Sequence, residues 1–319
     1  MLKLLKRIQD GAFHSGEQLG KELGISRAAV WKQLQSLESE YGLAVHKVRG
    51  KGYCLAEPLS LLDSDKIDPA PLGLRSIRIS ERIDSTNSAA LRLIAEGAPL
   101  PFLVLSEQQS AGRGRRGRSW VSPFAANLYY SLAVQLVKGA QQLEGLSLVV
   151  GLAALKTIRE LGIDHAGLKW PNDILVGDRK LAGILLELVG DPADICHVVI
   201  GIGINVNMLS PGTDIDRPWT SIRAETGALQ DRNALVGRLN VHLAEYLSRQ
   251  RSEGFAPLAA EWREADLWLG QQVRLSAGAG EVVGKSLGID DKGGLRLLVD
   301  GVEQTFSGGE LSLRLRHDS

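Results

Sequence analysis

At the start of the chain, apolar residues recur three or four positions apart, which predicts three short amphipathic helices. The positions that define them are Leu2, Leu5 and Ile8, then Leu19 and Leu23, and then Val30, Leu34 and Leu37. The first helix is expected to end near Gly11. Ser15 begins a capping-box pattern, Gly24 ends the second helix, and Ser26 is a candidate cap for the third. Two short helices joined through a glycine turn indicate a helix-turn-helix.

From Val45 to Leu55 the pattern changes to alternation of apolar and polar residues, with Gly50-Lys51-Gly52 at the bend. This pattern predicts a β-hairpin. A helix-turn-helix followed by a basic hairpin is a winged helix, which we assign to residues 1–62. Pro58 and the Pro69/Pro71 pair mark a linker after it.

A second block, residues 75–270, mixes strand and helix patterns. Strands are predicted at 102–105, 128–136, 181–188 and 198–204, and helices at 87–96, 148–161 and 233–249. Because strands 181–188 and 198–204 follow one another without a helix, we favour a mixed or antiparallel sheet with its helices on one face.

The last block, residues 271–319, contains short alternating segments separated by glycine and aspartate turns. They lie at 273–275, 281–287, 295–299, 303–306 and 311–315. This spacing predicts a small all-β barrel. The whole chain is therefore expected to be an α+β multidomain protein.

Composition excludes several classes of protein. The 319 residues suggest two or three domains, and a formal net charge of +0 means that nucleic-acid binding would need a local basic patch. With Cys54 and Cys196 alone and far apart, we expect a reducing cytoplasm rather than a disulfide framework or a cysteine zinc site. The N-terminus lacks the apolar core of a signal peptide, and the apolar run from Leu146 to Leu155 is too short to span a bilayer.

The most unusual segment is residues 112–120, GRGRRGRSW, which we call the basic loop. Glycines let backbone N–H groups approach an anion, arginines add bidentate donors, and Trp120 offers a face for a planar ring. The alternative is a flexible basic segment that contacts nucleic acid. Because the loop lies between two predicted strands and no repetitive tail is present, we favour a small anionic ligand.

Other segments carry weaker signals. In KWPNDI (169–174), Asn172 and Asp173 are typical of a turn. The alternative is a binding segment in which Lys169 contacts a phosphate and Asp173 contacts a Mg²⁺ ion or a ribose. Lys180 enters a predicted strand, and Gly183 beside it allows close approach. The segments 84–87 and 201–205 are weak alone, and no HExxH, GxSxG, Walker A or EF-hand pattern is present.

Taken in order, DSTN, GRGRRGRSW, KWPNDI, RKLAGIL and GIGIN resemble the biotin protein ligases, and the winged helix in front is similar to the bifunctional kind that also represses the biotin operon. The resemblance covers essentially the whole chain. It implies a catalytic domain related in fold to class II aminoacyl-tRNA synthetases and an SH3-like C-terminal barrel.

The resemblance also implies site residues. The biotin-binding positions are Ser85, Thr86, Asn87, Gln109, Arg113, Gly114, Arg115, Lys180 and Gly183. Those for ATP or the adenylate are Arg115, Arg118, Trp120, Lys169, Asn172, Asp173 and Asn205. Arg115, Lys180 and Lys169 are the catalytic candidates, and Asp173 is the candidate Mg²⁺ ligand.

Basic residues near the N-terminus predict a DNA interface, with a solvated basic face as the alternative. The candidates are Ser26, Arg27, Lys32, Lys47, Arg49 and Lys51. Because one monomer offers few contacts, we expect a dimer on a two-half-site operator.

The expected reaction uses ATP, Mg²⁺ and biotin to form biotinyl-5′-adenylate and then biotinylates a lysine of a biotin carboxyl carrier protein. The resemblance adds that the adenylate promotes homodimerisation and repression of the biotin biosynthesis genes. Two alternatives stay open: a lipoate protein ligase, and a ligand-sensing repressor that has lost catalysis.

Overall fold

The computed structural model describes residues 2–136, 143–190, 196–210, 215–277, 280–307 and 311–315. Three β-sheets organise this part of the chain, with two, seven and five strands in order along the sequence. They correspond to the three predicted blocks.

The N-terminal block is a winged helix, as predicted. Its elements are α1 (Leu2–Ile8), α2 (Gly16–Leu23), α3 (Arg27–Tyr41), β1 (Val45–Val48) and β2 (Gly52–Leu55). The Ser26 hydroxyl accepts a hydrogen bond from the Ala29 N–H at 3.1 Å, and Gly24 ends α2 with a φ of 67°. Both caps therefore lie where the sequence predicts them.

The core of the winged helix also includes residues from the middle of the chain. Phe124 and Ala125, which follow the basic loop, are buried together with Leu34, Leu37 and Leu61. The Phe124 ring lies 4.5 Å from the Tyr41 ring of α3. The winged helix is thus packed directly against the segment that carries the basic loop.

The central sheet has seven strands in the order β3-β4-β5-β9-β8-β7-β6. They are β3 (Ser76–Ser80), β4 (Phe102–Ser106), β5 (Leu128–Leu136), β6 (Ala166–Lys169), β7 (Asp173–Val176), β8 (Arg179–Gly190) and β9 (Cys196–Ile204). Strands β3 and β4 are parallel, and every other neighbouring pair is antiparallel. The predicted mixed sheet is confirmed.

The prediction that all helices lie on one face of this sheet is wrong. The helices are α4 (Thr86–Ala95), α5 (Leu146–Arg159), α6 (Ile222–Thr226), α7 (Arg232–Glu253) and α8 (Ala256–Glu264). Leu103 and Leu105 of β4 share a core with α5 and α7, whereas Phe102 and Val104 pack with α4. Because β4 is apolar on both faces, it has helices on both sides.

The C-terminal sheet has five antiparallel strands in the order β13-β12-β11-β10-β14. They are β10 (Gln272–Ala277), β11 (Gly280–Ile289), β12 (Leu295–Val299), β13 (Val302–Phe306) and β14 (Leu311–Leu315). Among the described residues β13 and β14 are the two edges of this sheet, so its closure into an SH3-like barrel stays a prediction.

A buried ion pair anchors the segment that follows the winged helix. Arg232 of α7 is fully buried and pairs with Glu107 at the end of β4. Its guanidinium also donates to the carbonyl of Ser60 at 2.7 Å, and Glu107 accepts from the Leu62 N–H at 2.7 Å. A buried charge needs such partners, and here they fix the predicted linker to the central sheet.

Candidate functional site

Three glycines leave space for the site above the strands of the central sheet, on the face that α4 covers. Gly183 of β8 pairs with Gly203 of β9, and Gly201 lies two residues away on the same face. A Cβ at Gly203 would lie 2.6 Å from the Trp120 indole, and one at Gly201 would overlap the Asn87 side chain. A Cβ at Gly183 would lie 3.1 Å from the Lys180 amine. Close approach therefore explains these glycines, as predicted for Gly183.

Two cavities lie at this site, and the three glycines line the smaller one. The smaller has a volume of about 60 Å³, and all nine residues predicted to bind biotin line it: Ser85, Thr86, Asn87, Gln109, Arg113, Gly114, Arg115, Lys180 and Gly183. These residues come from the start of α4, from the basic loop and Gln109 before it, and from β8, which are far apart in the sequence. The structure thus brings the whole predicted set together.

Hydrogen bonds hold the amide and hydroxyl groups of the smaller cavity in place. Gln109 accepts from the Thr86 N–H at 2.9 Å and donates to Ser122 at 3.0 Å. The Ser131 hydroxyl of β5 lies 2.8 Å from the Thr86 hydroxyl and 2.5 Å from the Asn87 side-chain oxygen. These groups form a fixed polar wall that suits a neutral polar ring.

The residues that precede α4 position this wall. Ser85 is the N-cap of α4, and Arg92 forms a bidentate ion pair with Asp84 at 2.8 Å. Hydrogen bonds from the Arg92 guanidinium lower the pKa of Asp84 to about 2. Asp84 therefore stays ionised and ties the helix to the loop in front of it.

Glu187 of β8 is a charged contact that the sequence did not single out. Its carboxylate accepts from Arg113 of the basic loop at 2.6 Å and from the Asn87 amide of α4 at 2.8 Å. It follows the RKLAGIL segment in an alternating strand, where a glutamate is typical of a solvent face. The basic loop and α4 give it partners only because the fold brings them to β8.

The larger cavity has a volume of about 370 Å³ and lies next to the smaller one. All seven residues predicted to bind ATP or the adenylate line it: Arg115, Arg118, Trp120, Lys169, Asn172, Asp173 and Asn205. Gly114, Arg115, Trp120, Asn172 and Lys180 line both cavities. These five residues form the boundary, so a ligand in one cavity would meet a ligand in the other there.

Charged groups converge on that boundary. Lys180 pairs with Asp173 at 2.6 Å, and the Lys180 amine lies 5.5 Å from the centre of the Trp120 ring. Arg115 donates to the Asn172 side-chain oxygen at 3.0 Å. Burial lowers the pKa of the Arg115 guanidinium, although the Asp173 charge raises it. Arginine stays charged in any case, so this partly desolvated cation favours an anionic ligand.

The backbone of the basic loop forms a tight hairpin. Trp120 N–H donates to the Gly112 carbonyl at 2.8 Å, and Gly114 N–H donates to the Arg118 carbonyl at 2.7 Å. The left-handed residues are Arg116 and Gly117, with φ of 59° and 68°. Gly117 thus takes the left-handed conformation that favours glycine, and Gly112 is required because a Cβ there would overlap the Trp120 carbonyl oxygen.

Residues 170–172 form the turn between β6 and β7, as one alternative for this segment predicts, and Lys169 and Asp173 beside it line the larger cavity. Contact of Lys169 with a phosphate stays a prediction. Asn172 donates to the Ile184 carbonyl at 2.9 Å, which ties the turn to β8. Asn205 at the end of β9 donates to the Thr220 carbonyl at 3.0 Å. Both amides are therefore held by backbone groups.

Asp173 does not offer a good site for Mg²⁺. One carboxylate oxygen is 2.6 Å from the Lys180 amine and the other is 3.9 Å from the Lys169 amine. Two ammonium groups beside a single carboxylate oppose a divalent cation, which prefers an oxygen-rich site. Within the described ranges, no group of three or more His, Cys, Asp or Glu side chains could hold a metal ion.

Two segments that line the larger cavity were not predicted from the sequence. They are residues 215–219, with Trp219, and residues 311–313 of β14. The Lys180 N–H donates to the Pro218 carbonyl at 2.9 Å, and Arg115 donates to the Leu311 carbonyl at 3.5 Å. No local motif marks either segment, because the fold alone brings them to the site.

The basic residues of the winged helix that are predicted to contact DNA lie on its surface. Arg27, Lys32, Lys47, Arg49 and Lys51 are all exposed. The Lys47 amine lies 4.4 Å from the Trp31 ring centre and the Lys51 amine 5.8 Å from that of Phe13. The Ser26 hydroxyl caps α3, so its role is at least structural.

Within the part of the chain that the structure describes, no helix is long and apolar enough to cross a bilayer. Both cysteines, Cys54 and Cys196, are buried and unpaired with each other.

Comparison with known families assigns each block of the chain. Residues 79–205 match the Biotin/lipoate A/B protein ligase family, residues 1–54 match an HTH domain, and residues 268–314 match the Biotin protein ligase C terminal domain. These matches coincide with the three sheets.

Similar proteins span nearly the whole chain. The Bifunctional ligase/repressor BirA of Salmonella typhimurium is 44% identical over 98% of this chain and 97% of its own length, and that of Escherichia coli is 43% identical over the same shares. The solved structure of biotin protein ligase from Aquifex aeolicus in complex with biotin and ATP has a TM-score of 0.67 at 29% identity, over 76% of this chain and 100% of that chain.

Proposed function

This chain belongs to the biotin protein ligases that carry an N-terminal helix-turn-helix domain, and we propose that it activates biotin with ATP and transfers it to a carrier protein. One observation carries the proposal: the two cavities share a boundary that holds Arg115 and Lys180. A reaction that joins two ligands needs such a boundary.

In the first step, we assign biotin to the smaller cavity and ATP to the larger. A biotin carboxylate oxygen attacks the α-phosphorus of ATP, the bond from that phosphorus to the bridging oxygen breaks, and diphosphate leaves. Both partners are anions that repel one another. Arg115 and Lys180 oppose this repulsion because they place positive charge where the carboxylate meets the phosphate.

The remaining assignments follow from the same arrangement. Trp120 offers its ring to the adenine, and Lys169 contacts a phosphate. Asn172, Asp173, Arg118 and Asn205 complete the nucleotide set. The Lys180 ammonium has three N–H donors, so it can contact the bound anions while it keeps its pair with Asp173.

In the second step, the amine of an acceptor lysine attacks the carbonyl carbon of biotinyl-5′-adenylate. An amide forms, AMP leaves, and the amine loses a proton. We propose a biotin carboxyl carrier protein as the acceptor. The basic loop slows hydrolysis of the adenylate by water, because it forms the wall above both cavities.

Magnesium stays part of the expected reaction as a companion of ATP, where it supplies positive charge to the phosphates. The contacts of Asp173 with two lysines do not support a magnesium site on that carboxylate. No step here therefore depends on a metal held by Asp173.

For the winged helix we propose binding to operator DNA of biotin biosynthesis genes, as a dimer that the adenylate promotes. Five exposed basic residues of α3 and the hairpin support contact with phosphates: Arg27, Lys32, Lys47, Arg49 and Lys51. Adenylate binding and dimerisation would be linked reciprocally. Sedimentation with and without biotin plus ATP tests this, since an apparent mass that is identical at every concentration contradicts it.

We retain 1–62, 75–270 and 271–319 as the domain boundaries and the cytoplasm as the expected location. The buried, unpaired cysteines are compatible with a reducing compartment.

Pyrophosphate release is the decisive test of the catalytic proposal. The purified chain is incubated with ATP and Mg²⁺ and with biotin, lipoate or neither. We expect release in the sample that contains biotin and not in the other two. Release only in the sample that contains lipoate would indicate a lipoate ligase. No release in any sample would indicate a sensor without catalysis.

A further inference from the structure

A tryptophan from the junction of the central and C-terminal blocks lies against a lysine of the larger cavity. The Lys169 amine is 4.5 Å from the centre of the Trp268 ring. Trp268 is 7% exposed, and Lys169 lines the cavity. Trp268 itself is not among the described residues that line either cavity. It can therefore act on a ligand only through its neighbours.

The backbone fixes the position of this tryptophan. Residues 265–267 pair with the outer edge of β6: the Leu168 N–H donates to the Ala265 carbonyl at 2.7 Å, and the Leu267 N–H donates to the Leu168 carbonyl at 3.0 Å. The Trp268 N–H then donates to the Asp266 carboxylate at 2.9 Å. These bonds hold the ring directly beside the residue that follows Leu168.

Gly167 makes this approach possible. A Cβ at Gly167 would lie 2.5 Å from the Leu267 side chain and 2.8 Å from the Ala265 carbonyl oxygen. Any larger residue there would push the junction away from β6. Gly167 thus lets residues 265–267, which lead into Trp268, lie against β6.

An aromatic face attracts a cation without neutralising its charge. The Asp173 carboxylate lies 2.6 Å from the Lys180 amine and 3.9 Å from the Lys169 amine, and the ring adds a contact that leaves the Lys169 charge available to a ligand. The ring therefore restricts the rotamers of the long Lys169 side chain before a ligand binds. Less conformational entropy is then lost on binding.

We propose that Trp268 is a positioning residue for the nucleotide: it holds the Lys169 amine at the wall of the larger cavity, where that amine contacts a phosphate of ATP. This inference rests on the proposed function, and it adds a residue from outside the cavity. Because Lys169 is not among the described residues that line the smaller cavity, the effect should be on ATP and not on biotin.

The test is a double-mutant cycle that combines Trp268→Leu with Lys169→Met. In the otherwise native chain, Trp268→Leu should raise the KM for ATP about tenfold, as expected for loss of a partly desolvated cation–π contact, with the KM for biotin and kcat within about twofold. Trp268→Phe keeps a ring face and should raise the KM for ATP about threefold. In the Lys169→Met background, Trp268→Leu should add less than about a twofold change.

Trp262→Phe is the matched control, because Trp262 is also buried but packs in the core without lining a cavity. It should leave both KM values unchanged. Equal effects of Trp268→Leu with and without Lys169 would overturn the proposal and assign Trp268 to packing alone. If Trp268→Leu does not fold, the cycle is run with Trp268→Phe, and the same comparison decides.

Calorimetric titration with ATP in the absence of biotin separates this inference from the proposed function. A native chain that releases no pyrophosphate but binds ATP more weakly after Trp268→Leu would reject catalysis and retain the positioning role. A native chain that releases pyrophosphate, together with a Trp268→Leu variant of unchanged ATP affinity, would retain catalysis and reject the positioning role.

Discussion

Two hairpins of this chain share a composition and differ in their surroundings. The basic loop, 112–120, and the wing, 45–55, both combine basic residues with glycine turns. In the loop, Arg113 pairs with Glu187 at 2.6 Å and Arg115 donates to Asn172 at 3.0 Å. In the wing, Lys47, Arg49 and Lys51 are all exposed. Composition alone therefore does not identify the ligand of a basic hairpin.

The difference lies in how the charges are held. A guanidinium that is partly desolvated and hydrogen-bonded has a fixed position and can orient one small anion. An exposed ammonium or guanidinium acts over the Debye length and suits a polymer with many phosphates. The partial burial of Arg115 thus supports the proposal of a small ligand for the loop, and the exposure of the wing supports the proposed contact with DNA.

Ionic strength should separate the two hairpins most strongly. With five basic residues in each subunit of a dimer, affinity for operator DNA should fall by at least about 10³ between 50 and 200 mM salt, since counterions are released from the phosphates. The KM for biotin should change by less than about threefold, because its carboxylate meets enclosed groups. Fluorescence anisotropy of labelled DNA and pyrophosphate release measure the two quantities on one sample. Equal salt dependence would erase the distinction.

Removing the boundary arginine should have the next largest effect. Arg115→Gly removes one of the two charged donors at the boundary and leaves Lys180, so the bound adenylate should dissociate about 100-fold faster, as expected for loss of a hydrogen bond to a charged group. Released adenylate should label lysines of bystander proteins, which a biotin blot detects.

Arg116→Gly is the matched control for that change. Arg116 is the exposed neighbour and already has a φ of 59°, which glycine adopts readily. It should alter adenylate dissociation by less than about threefold. If both variants release adenylate equally, the loop acts only as a cover and Arg115 has no specific role.

The sequence predicted which residues come together because they lie in short motifs, and their binding roles stay predictions. All nine biotin positions line one cavity and all seven nucleotide positions line the other. It missed Trp219, Trp268 and residues 311–313, which reach the site by long-range packing from segments without a local pattern. The prediction of helices on one face was also wrong, although the unbroken apolar run of β4 is typical of a strand covered on both faces.

A single charge change in the wing should have a more moderate effect. Arg49→Gln removes one phosphate contact per subunit, so the slope of log affinity against log salt should fall by about 0.9 for each subunit, with roughly tenfold weaker DNA binding. Lys66→Gln removes an exposed charge outside the wing and is the control. Unchanged pyrophosphate release by Arg49→Gln is part of the expected result. A slope equal to that of the native chain would mean that the wing does not touch phosphate.

The smallest expected effect tests whether pairing, rather than charge itself, distinguishes the loop from the wing. Glu187→Gln keeps the side chain's shape and its hydrogen bond to Asn87 but removes the charge that holds Arg113 at 2.6 Å. Because this ion pair is partly exposed, its loss should raise the KM for biotin only about fivefold. The loop would then resemble the wing, and the KM for biotin should become more sensitive to salt than in the native chain. A variant with native KM and native salt dependence would mean that Arg115 and the backbone hydrogen bonds alone fix the loop.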